Sequence, residues 1–522
     1  MNFRQNSSLA NAQFAHKHSS QSALNRAKLM QNGTHLAAVD LGSNSFRLEI
    51  GRLDHGLIQR TEYIKETVRQ GGSLDANGHL SEQAMERGWD CLARFGERLA
   101  GFDKTQVRAV ATQTLREAHN RDVFLKRACK LLGFQIDVIP GREEARLIYQ
   151  GVARMLPQTP ERRLVIDIGG RSTEMVLGRG LQANTMESWQ VGSVTWSMQF
   201  FPQGLYTVAN FKAAEIAAQA VLEEAFEAFG PTHWDTAYGS SGTVGAVSEV
   251  LDAAGWPAGQ ISLQSLDWLL ERLLKAQSSD RLKIDGLRDD RRSVVGGGVS
   301  VLRAIFNLLD IQTLQVAQGA LRHGVLYDLL DREHGATDLR GRTIERLTHR
   351  FGVDVAQAGR VSRIAQRLLA MIPPPKEDLP RLQRKLDWAA RVHEIGCHIS
   401  HQDHHKHGAY ILEHVDAPGF ALEELQRLSL LVLGQRGKLR KIELHLDSEV
   451  FARQLLALRL ALILAHARRE PNLTGLELSD KPSFTLSLPT GWVERYPQSA
   501  HLLREEAVAW QKTDFPLSVL EG

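Results

Sequence analysis

Apolar and polar positions divide the chain into three regimes. From residue 35 onward, short apolar runs alternate with longer segments of helical periodicity. His35–Leu41 is an apolar run, and strand-like runs follow at 46–53 and 57–68. Residues 81–100 place apolar side chains at helical spacing behind Ser81, whose hydroxyl suits the N-terminal end of a helix. Strands are expected at 107–111 and 135–139, and helices at 120–132 and 141–156. A second block repeats the opening, with apolar runs at 164–168, 173–178 and 182–190. Helices are then expected near 209–228, 242–254, 262–275 and 290–308, followed by a strand at 313–317 and a helix at 320–330. Beyond Asp331 strand signals almost vanish. Helical periodicity covers 360–371, 379–393, 409–414, 422–433 and 450–466, before a strand-like 483–488 and a final helix. The alternation predicts two related α/β halves and then a helical region. The expected divisions are a disordered polar tail at 1–33, α/β domains at 34–147 and 148–331, and a helical region at 332–522. One reading adds a small terminal subdomain from about 483.

The repeat is sharpest in two six-residue frames, Asp40-Leu41-Gly42-Ser43-Asn44-Ser45 and Asp167-Ile168-Gly169-Gly170-Arg171-Ser172. Each lies between apolar runs, as a hairpin turn would. Glycine lets a backbone approach a ligand closely, and successive N–H groups with small hydroxyls form a concave anion site. Phosphate contacts are therefore expected from Gly42, Ser43, Asn44, Ser45, Gly169, Gly170, Ser172 and Thr173. The leading carboxylates, Asp40 and Asp167, can hold Mg²⁺. Seven residues after each Asp the copies differ. Arg47 can pair with phosphate, whereas Glu174 can bind a metal or a water. Such asymmetry suits a catalytic cleft. A third small-residue loop, Gly239-Ser240-Ser241-Gly242-Thr243, precedes a predicted helix, so Ser240, Ser241, Gly242 and Thr243 are further phosphate candidates.

Composition narrows the class. The 522 residues are 43% hydrophobic and 24% charged, which is ordinary for a globular protein. Sixty-three Lys and Arg against 60 Asp and Glu give a net charge of +3, too balanced for a dedicated nucleic-acid binder. Three cysteines, Cys91, Cys129 and Cys397, exclude a disulfide framework and suit a reducing cytoplasm. Arg459 interrupts the longest apolar run, at 455–465, so no membrane helix is expected and no membrane partner is assigned. Residues 1–33 lack the apolar core of a secretory signal. Residues 340–391 carry 12 Lys and Arg against five Asp and Glu, and 435–441 add four cations, a pattern suited to a polyanion. Seven of the 20 histidines fall between His393 and His414.

Five stretches together resemble the exopolyphosphatase/guanosine pentaphosphatase (Ppx/GppA) family of the actin-like superfamily. They are Ala38-Val-Asp-Leu-Gly-Ser-Asn-Ser-Phe46, Ala111-Thr-Gln-Thr-Leu-Arg116, Gly141-Arg-Glu-Glu-Ala-Arg-Leu-Ile148, Val165-Ile-Asp-Ile-Gly-Gly-Arg-Ser-Thr-Glu174 and Gly239-Ser-Ser-Gly-Thr243. The resemblance implies an α/β fold of two actin-like (ribonuclease H-like) domains, an all-α HD-like C-terminal domain, and often a homodimer. It implies Mg²⁺-dependent release of terminal phosphate from inorganic polyphosphate, the leading expectation, or from guanosine pentaphosphate, the alternative. An actin-like ATPase or kinase, and a polyphosphate sensor without turnover, are further readings. By the same resemblance Glu144 is the general base, Asp167 and Glu174 are metal and water ligands, and Arg47 and Arg116 are phosphate clamps. Two departures stand out. Arg171 occupies the place of a third loop glycine, and His393-Glu394 replaces the His-Asp pair of HD hydrolases, so a metal-free helical domain is expected.

Overall fold

The computed structural model describes residues 31–333, 338–374, 379–446, 448–481 and 483–522. The expected disordered tail lies, but for its last three residues, outside the described residues. Two compact units divide at Asp338/Leu339.

In the first unit, β1 (His35–Leu41), β2 (Ser45–Asp54), β3 (Leu57–Thr67), β4 (Val107–Ala111) and β5 (Ile136–Val138) form one sheet, ordered β3-β2-β1-β4-β5. A second sheet comprises β6 (Arg162–Ile168), β7 (Thr173–Arg179), β8 (Gln182–Trp189), β9 (Thr236–Ser240), β10 (Gln260–Ser262) and β11 (Thr313–Val316). Its order is β10-β11-β9-β6-β7-β8. Without the short edge strand β10, the two orders are the same, and so are the senses of pairing. The duplication seen in two turns is thus a duplication of whole sheets. In both copies the register sets the seventh residue after the Asp directly opposite it: Asp40 faces Arg47, and Asp167 faces Glu174.

The central strands β1 and β6 are buried along nearly their whole length, as parallel-sheet strands covered on both faces should be. Ser81 caps the helix Glu82–Arg98 by accepting from the Ala84 N–H. The helix Arg121–Leu132 ends on Gly133 at φ 81°, a conformation glycine adopts without strain. The helix expected at 209–228 is two, Val208–Leu222 and Ala225–Phe229. That expected at 290–308 begins only at Val295, after a tight turn at Asp289–Arg291. Two short helices, Gln113–Glu117 and Ser193–Phe200, are too brief to show a period in sequence.

The expected boundary at 147/148 falls inside the continuous helix Gly141–Met155. The helix Leu321–Glu333, last of the second half, packs along Gly141–Met155 and against β1 and β4 of the first sheet. Their backbones approach so closely that a Cβ on Gly324 would strike the Leu147 carbonyl, and one on Gly151 the Ala320 carbonyl. Leu36, Ala38 and Val110 of the first sheet share one core with Leu147, Val152, Val325 and Leu329.

The second unit is mainly helical and built on one apolar core. Its principal helices are Leu339–Arg350, Val355–Met371, Leu379–Arg391, His404–His414, Leu422–Gly434 and Glu449–Leu464. The strand expected at 483–488 is β13 (Phe484–Leu488), between β12 (Glu477–Ser479) and β14 (Leu517–Glu521) in a small sheet backed by the helix Pro497–Trp510. Arg459, on the apolar helix, is buried because Glu506 and the Gly434 carbonyl satisfy it, each at 2.6 Å. Much of the basic run is engaged inside this unit. Arg340 pairs with Glu424, Arg363 with Glu470 and Arg391 with Asp387, while Arg346 and Arg367 donate to carbonyls. Glu394 pairs with Arg468, and His393 Nδ1 lies 2.7 Å from the Ala390 carbonyl. All three cysteines are free. Among the described residues no helix is long and apolar enough to cross a membrane.

Candidate active site

The two hairpin turns face one cleft of about 290 Å³. From the first turn Gly42, Ser43, Asn44 and Ser45 line it, and from the second Gly169, Gly170 and Ser172. Ser241, Gly242 and Thr243 line it from the head of the helix Ser241–Ala253. Ser241 sits at φ 94°, unusual for a residue with a side chain. Its hydroxyl accepts from the Thr243 and Val244 N–H groups at 3.1 and 3.3 Å, which holds the first helical turn. Free N–H groups and the helix end then present partial positive charge to the cleft.

Two expected phosphate ligands do other work. Thr173 donates its hydroxyl to the Val191 carbonyl at 2.6 Å, and Ser240 donates to the Gly319 carbonyl at 2.9 Å. Neither lines the cleft. A donor already spent on a carbonyl shapes a turn and is no longer available to a ligand.

Arg171 also points elsewhere. Its backbone has no positive φ, so this position does not need glycine. Its guanidinium reaches the Gly71 carbonyl at 2.6 Å and pairs with Glu117, tying the second turn to the first half.

The acidic groups separate by surroundings. Asp40 pairs with Arg47 at 3.0 Å, and both line the cleft. Asp167 also lines it. Burial pushes its carboxyl up to about 7, Glu144 and Asp40 add to the rise, and Arg47 opposes it. Glu174 lies behind, 1% exposed, with Ser188 donating to it at 2.8 Å. Burial, then Glu144 and Asp167, holds its carboxyl well above the usual range. Asp40, Asp167 and Glu174 are not gathered into one three-donor set: among the described residues no three such groups are placed to hold a metal.

Glu144 lines the cleft in the first turn of the helix Gly141–Met155. Burial raises its pKa, and Arg116, 2.7 Å away, works against that rise. Arg116 itself does not line the cleft. Its guanidinium is shared among Glu144, the Ile139 carbonyl at 2.8 Å and Gln113, so it holds Glu144 and is not free to clamp phosphate. The adjacent Glu143 faces the other way. It pairs with Arg146 at 2.7 Å, in a buried network where Asp328 joins Arg108, Arg146 and Arg332. Those three arginines hold the Asp328 carboxyl far below the usual range despite its burial.

Sequence reasoning missed several cations and one carboxylate. Lys65, Arg288, Arg291, Arg322 and Glu249 all line the cleft. Lys65 could have been found, because it stands opposite Arg47 once β2 and β3 are paired. It also bridges the two halves, 2.9 Å from Asp290. Arg291 lies in an irregular turn and carries no sequence signal. It is 6% exposed, its Nε has no partner, and burial and Arg47 lower its pKa. Its guanidinium fills the space a Cβ on Gly242 would need. Asp290 and Glu249 offset part of that cost, and a buried guanidinium with an unpartnered N–H at the cleft wall is still a ready site for an anion.

The description "Ppx/GppA phosphatase family" matches residues 50–333, and "Ppx/GppA phosphatase, domain III" matches 339–507. A guanosine-5'-triphosphate,3'-diphosphate pyrophosphatase of Photobacterium profundum is 38% identical over 491 residues, covering 93% of this chain and 98% of that protein. A protein of the same name from Aeromonas hydrophila is 38% identical over 499 residues, covering 94% of this chain and all of that one. Among solved structures, an exopolyphosphatase-like protein is 25% identical with a TM-score of 0.52, covering 57% of this chain and 98% of that one.

Proposed function

Because this chain belongs to the Ppx/GppA phosphatase family, we propose that it hydrolyses the terminal phosphoanhydride of guanosine 5'-triphosphate 3'-diphosphate. It is a hydrolase of phosphoanhydride bonds on the two-sheet actin-like fold. The observation that carries the nucleotide reading is the name borne by the two relatives that match this chain almost end to end. The leading expectation from sequence, inorganic polyphosphate, leaned on the basic helical region. Five cations of that run meet partners within the helical unit, Arg340 in a buried pair and the others nearer the surface, which weakens the argument for an extended polymer track.

In this reading the terminal phosphate sits between the two turns and the head of the helix Ser241–Ala253. Arg47 and Arg291, which both line the cleft, neutralise phosphate oxygens through charge-assisted hydrogen bonds. Glu144 takes a proton from water. The water oxygen bonds to the terminal phosphorus, and the bond from that phosphorus to the bridging oxygen breaks. The products are inorganic phosphate and guanosine 3',5'-bis(diphosphate). Arg116 keeps Glu144 aimed and favours its ionised form. Mg²⁺ belongs to the proposal. Asp167 in the cleft, crowded by other buried carboxyls, would hold it together with substrate oxygens, with Glu174 behind, and the cation would screen phosphate charge.

Phosphate release with Mg²⁺ from guanosine pentaphosphate and from long-chain polyphosphate, at matched terminal-phosphate concentration, tests the assignment. Faster turnover of the nucleotide is expected. Faster turnover of polyphosphate would return the chain to the exopolyphosphatase reading.

A further inference from the structure

The cleft extends well past the phosphate loops, and its far walls carry different chemistry. On the first wall, the β2–β3 register sets Ser45 opposite Thr67, Arg47 opposite Lys65 and Glu49 opposite Tyr63. Alternate strand residues share a face, so Lys65 and Tyr63 form successive ranks leading away from the turn. Tyr63 is four residues from Thr67, roughly 13 Å at about 3.3 Å per residue. On the second wall, Glu249 stands eight residues after Ser241, roughly 12 Å along a helix that rises about 1.5 Å per residue. It shares a face with Gly242, Gly245 and Ala246, and all four line the cleft. Two different elements therefore bring an aromatic ring and a carboxylate to the lining of one cavity, each several residues beyond its phosphate turn.

Both side chains sit among arginines: the Arg60 guanidinium lies 5.8 Å from the Tyr63 ring centre, and Glu249 acts electrostatically on Arg291, so a base would stack beside or displace one of these cations. Tyr63 is 39% exposed, with the Arg322 guanidinium 4.9 Å from its ring centre. Arg322 is fixed in turn by buried Glu49. Glu249 meets Arg288 only loosely, at 3.6 Å, and its side chain is half exposed. Beside it, a Cβ on Gly245 would meet nothing within 4 Å. This is open space of the kind a flat ring can fill.

We propose that this end of the cleft is a guanine subsite, in which the Glu249 carboxylate accepts from the N1–H and N2–H groups of the base and Tyr63 stacks against the ring. The subsite rests on the nucleotide reading above. Guanine offers two parallel donors on one edge, and a carboxylate offers two acceptors to match. Adenine presents an unprotonated ring nitrogen at the same place and repels the carboxylate, so one side chain both attracts the right base and rejects the wrong one. Phosphate loops alone cannot make that distinction.

The test compares guanosine 5'-triphosphate 3'-diphosphate, its adenosine counterpart and inorganic tripolyphosphate on the full chain. In the unaltered protein, kcat/KM should favour guanine over adenine. Glu249→Ala should lower kcat/KM for the guanosine substrate roughly ten- to hundredfold, the range for losing a two-point base contact, and so collapse the guanine-to-adenine ratio. Tyr63→Leu should raise KM for both nucleotides by roughly tenfold while keeping the ratio, because stacking is indifferent to base identity. A ratio unaltered by Glu249→Ala overturns the subsite. So does an equal fall for tripolyphosphate, which would place Glu249 at the phosphate end. If the unaltered protein releases no phosphate from guanosine pentaphosphate, the functional reading itself fails and the subsite falls with it.

Discussion

The two phosphate hairpins share a backbone and differ in charge. Each has an Asp at the end of a central strand, glycine two residues on, and the residue seven places later directly opposite. In the first, that residue is Arg47 and the pair is balanced. In the second it is Glu174, and two buried carboxyls face each other with Glu144 nearby. Duplication supplied a matched geometry. A difference at one register position then gave one electrically balanced wall and one that favours a cation or a proton. A cleft built this way has a direction, which in-line displacement by water requires.

The comparison can be broken from the acidic side first. Glu144→Gln should lower kcat by roughly 10²- to 10⁴-fold, the usual contribution of a general base, while nucleotide binding persists. Steady-state kinetics together with equilibrium binding would check it, and near-normal turnover would remove Glu144 from its role. Next, Asp167→Asn should cost about 100-fold in kcat/KM, and Asp40→Asn less, about tenfold, because losing one preorganised charge counts most where it acts on the reacting phosphate. Equal losses would mean the walls are equivalent after all.

pH sharpens the contrast further. Glu144 must lose its proton to act, and burial raises its pKa, so activity should rise with pH along a limb above the ordinary carboxylate range. Arg116→Gln removes the charge that favours the ionised form, so that limb should move to higher pH in a kcat/KM profile. Stability should show the opposite slope. The folded Asp167 carboxyl titrates near 7 and the unfolded one near its ordinary value of 3.8, so the folded state holds the extra proton between them. Stability is therefore lost as pH rises through that window, and Asp167→Asn should flatten thermal unfolding midpoints across it. The smallest effect is expected at Arg171. Arg171→Gly breaks the tie to Glu117 and the Gly71 carbonyl and should cost only about 1 kcal/mol in unfolding free energy, with kcat reduced a few-fold at most.

Much of this cleft was legible in the chain. The two frames, Arg47, Asp167 and the Gly239–Thr243 loop are local patterns, and local patterns survive in sequence. Glu144 could be told from Glu143 only by resemblance, since neighbouring helical residues look alike until their partners are known. The structure separates them by packing. One faces Arg116 and the cleft, the other Arg146 and the buried network. Arg291, Arg288 and Glu249 come from elements whose placement depends on the whole second sheet, so no window of residues announced them. Thr173 and Ser240 show the reverse failure, where the right residue type stands in the right loop but gives its proton to a carbonyl. The basic run shows a related limit, because charge along a chain does not reveal the partners that folding brings to Arg340, Arg363 and Arg391. The helix Leu339–Arg350 went unseen because few of its positions are apolar.

The helix Leu321–Glu333 carries a consequence for how the protein is made. It closes the core that includes Leu36, Ala38 and Val110, yet it is the last element of the first unit to leave the ribosome. During synthesis the first sheet emerges early and then waits, with part of one face bare, until the whole second sheet has been translated. Chains arrested anywhere in that interval should recruit a holding chaperone to that face, and release should coincide with the emergence of Glu333.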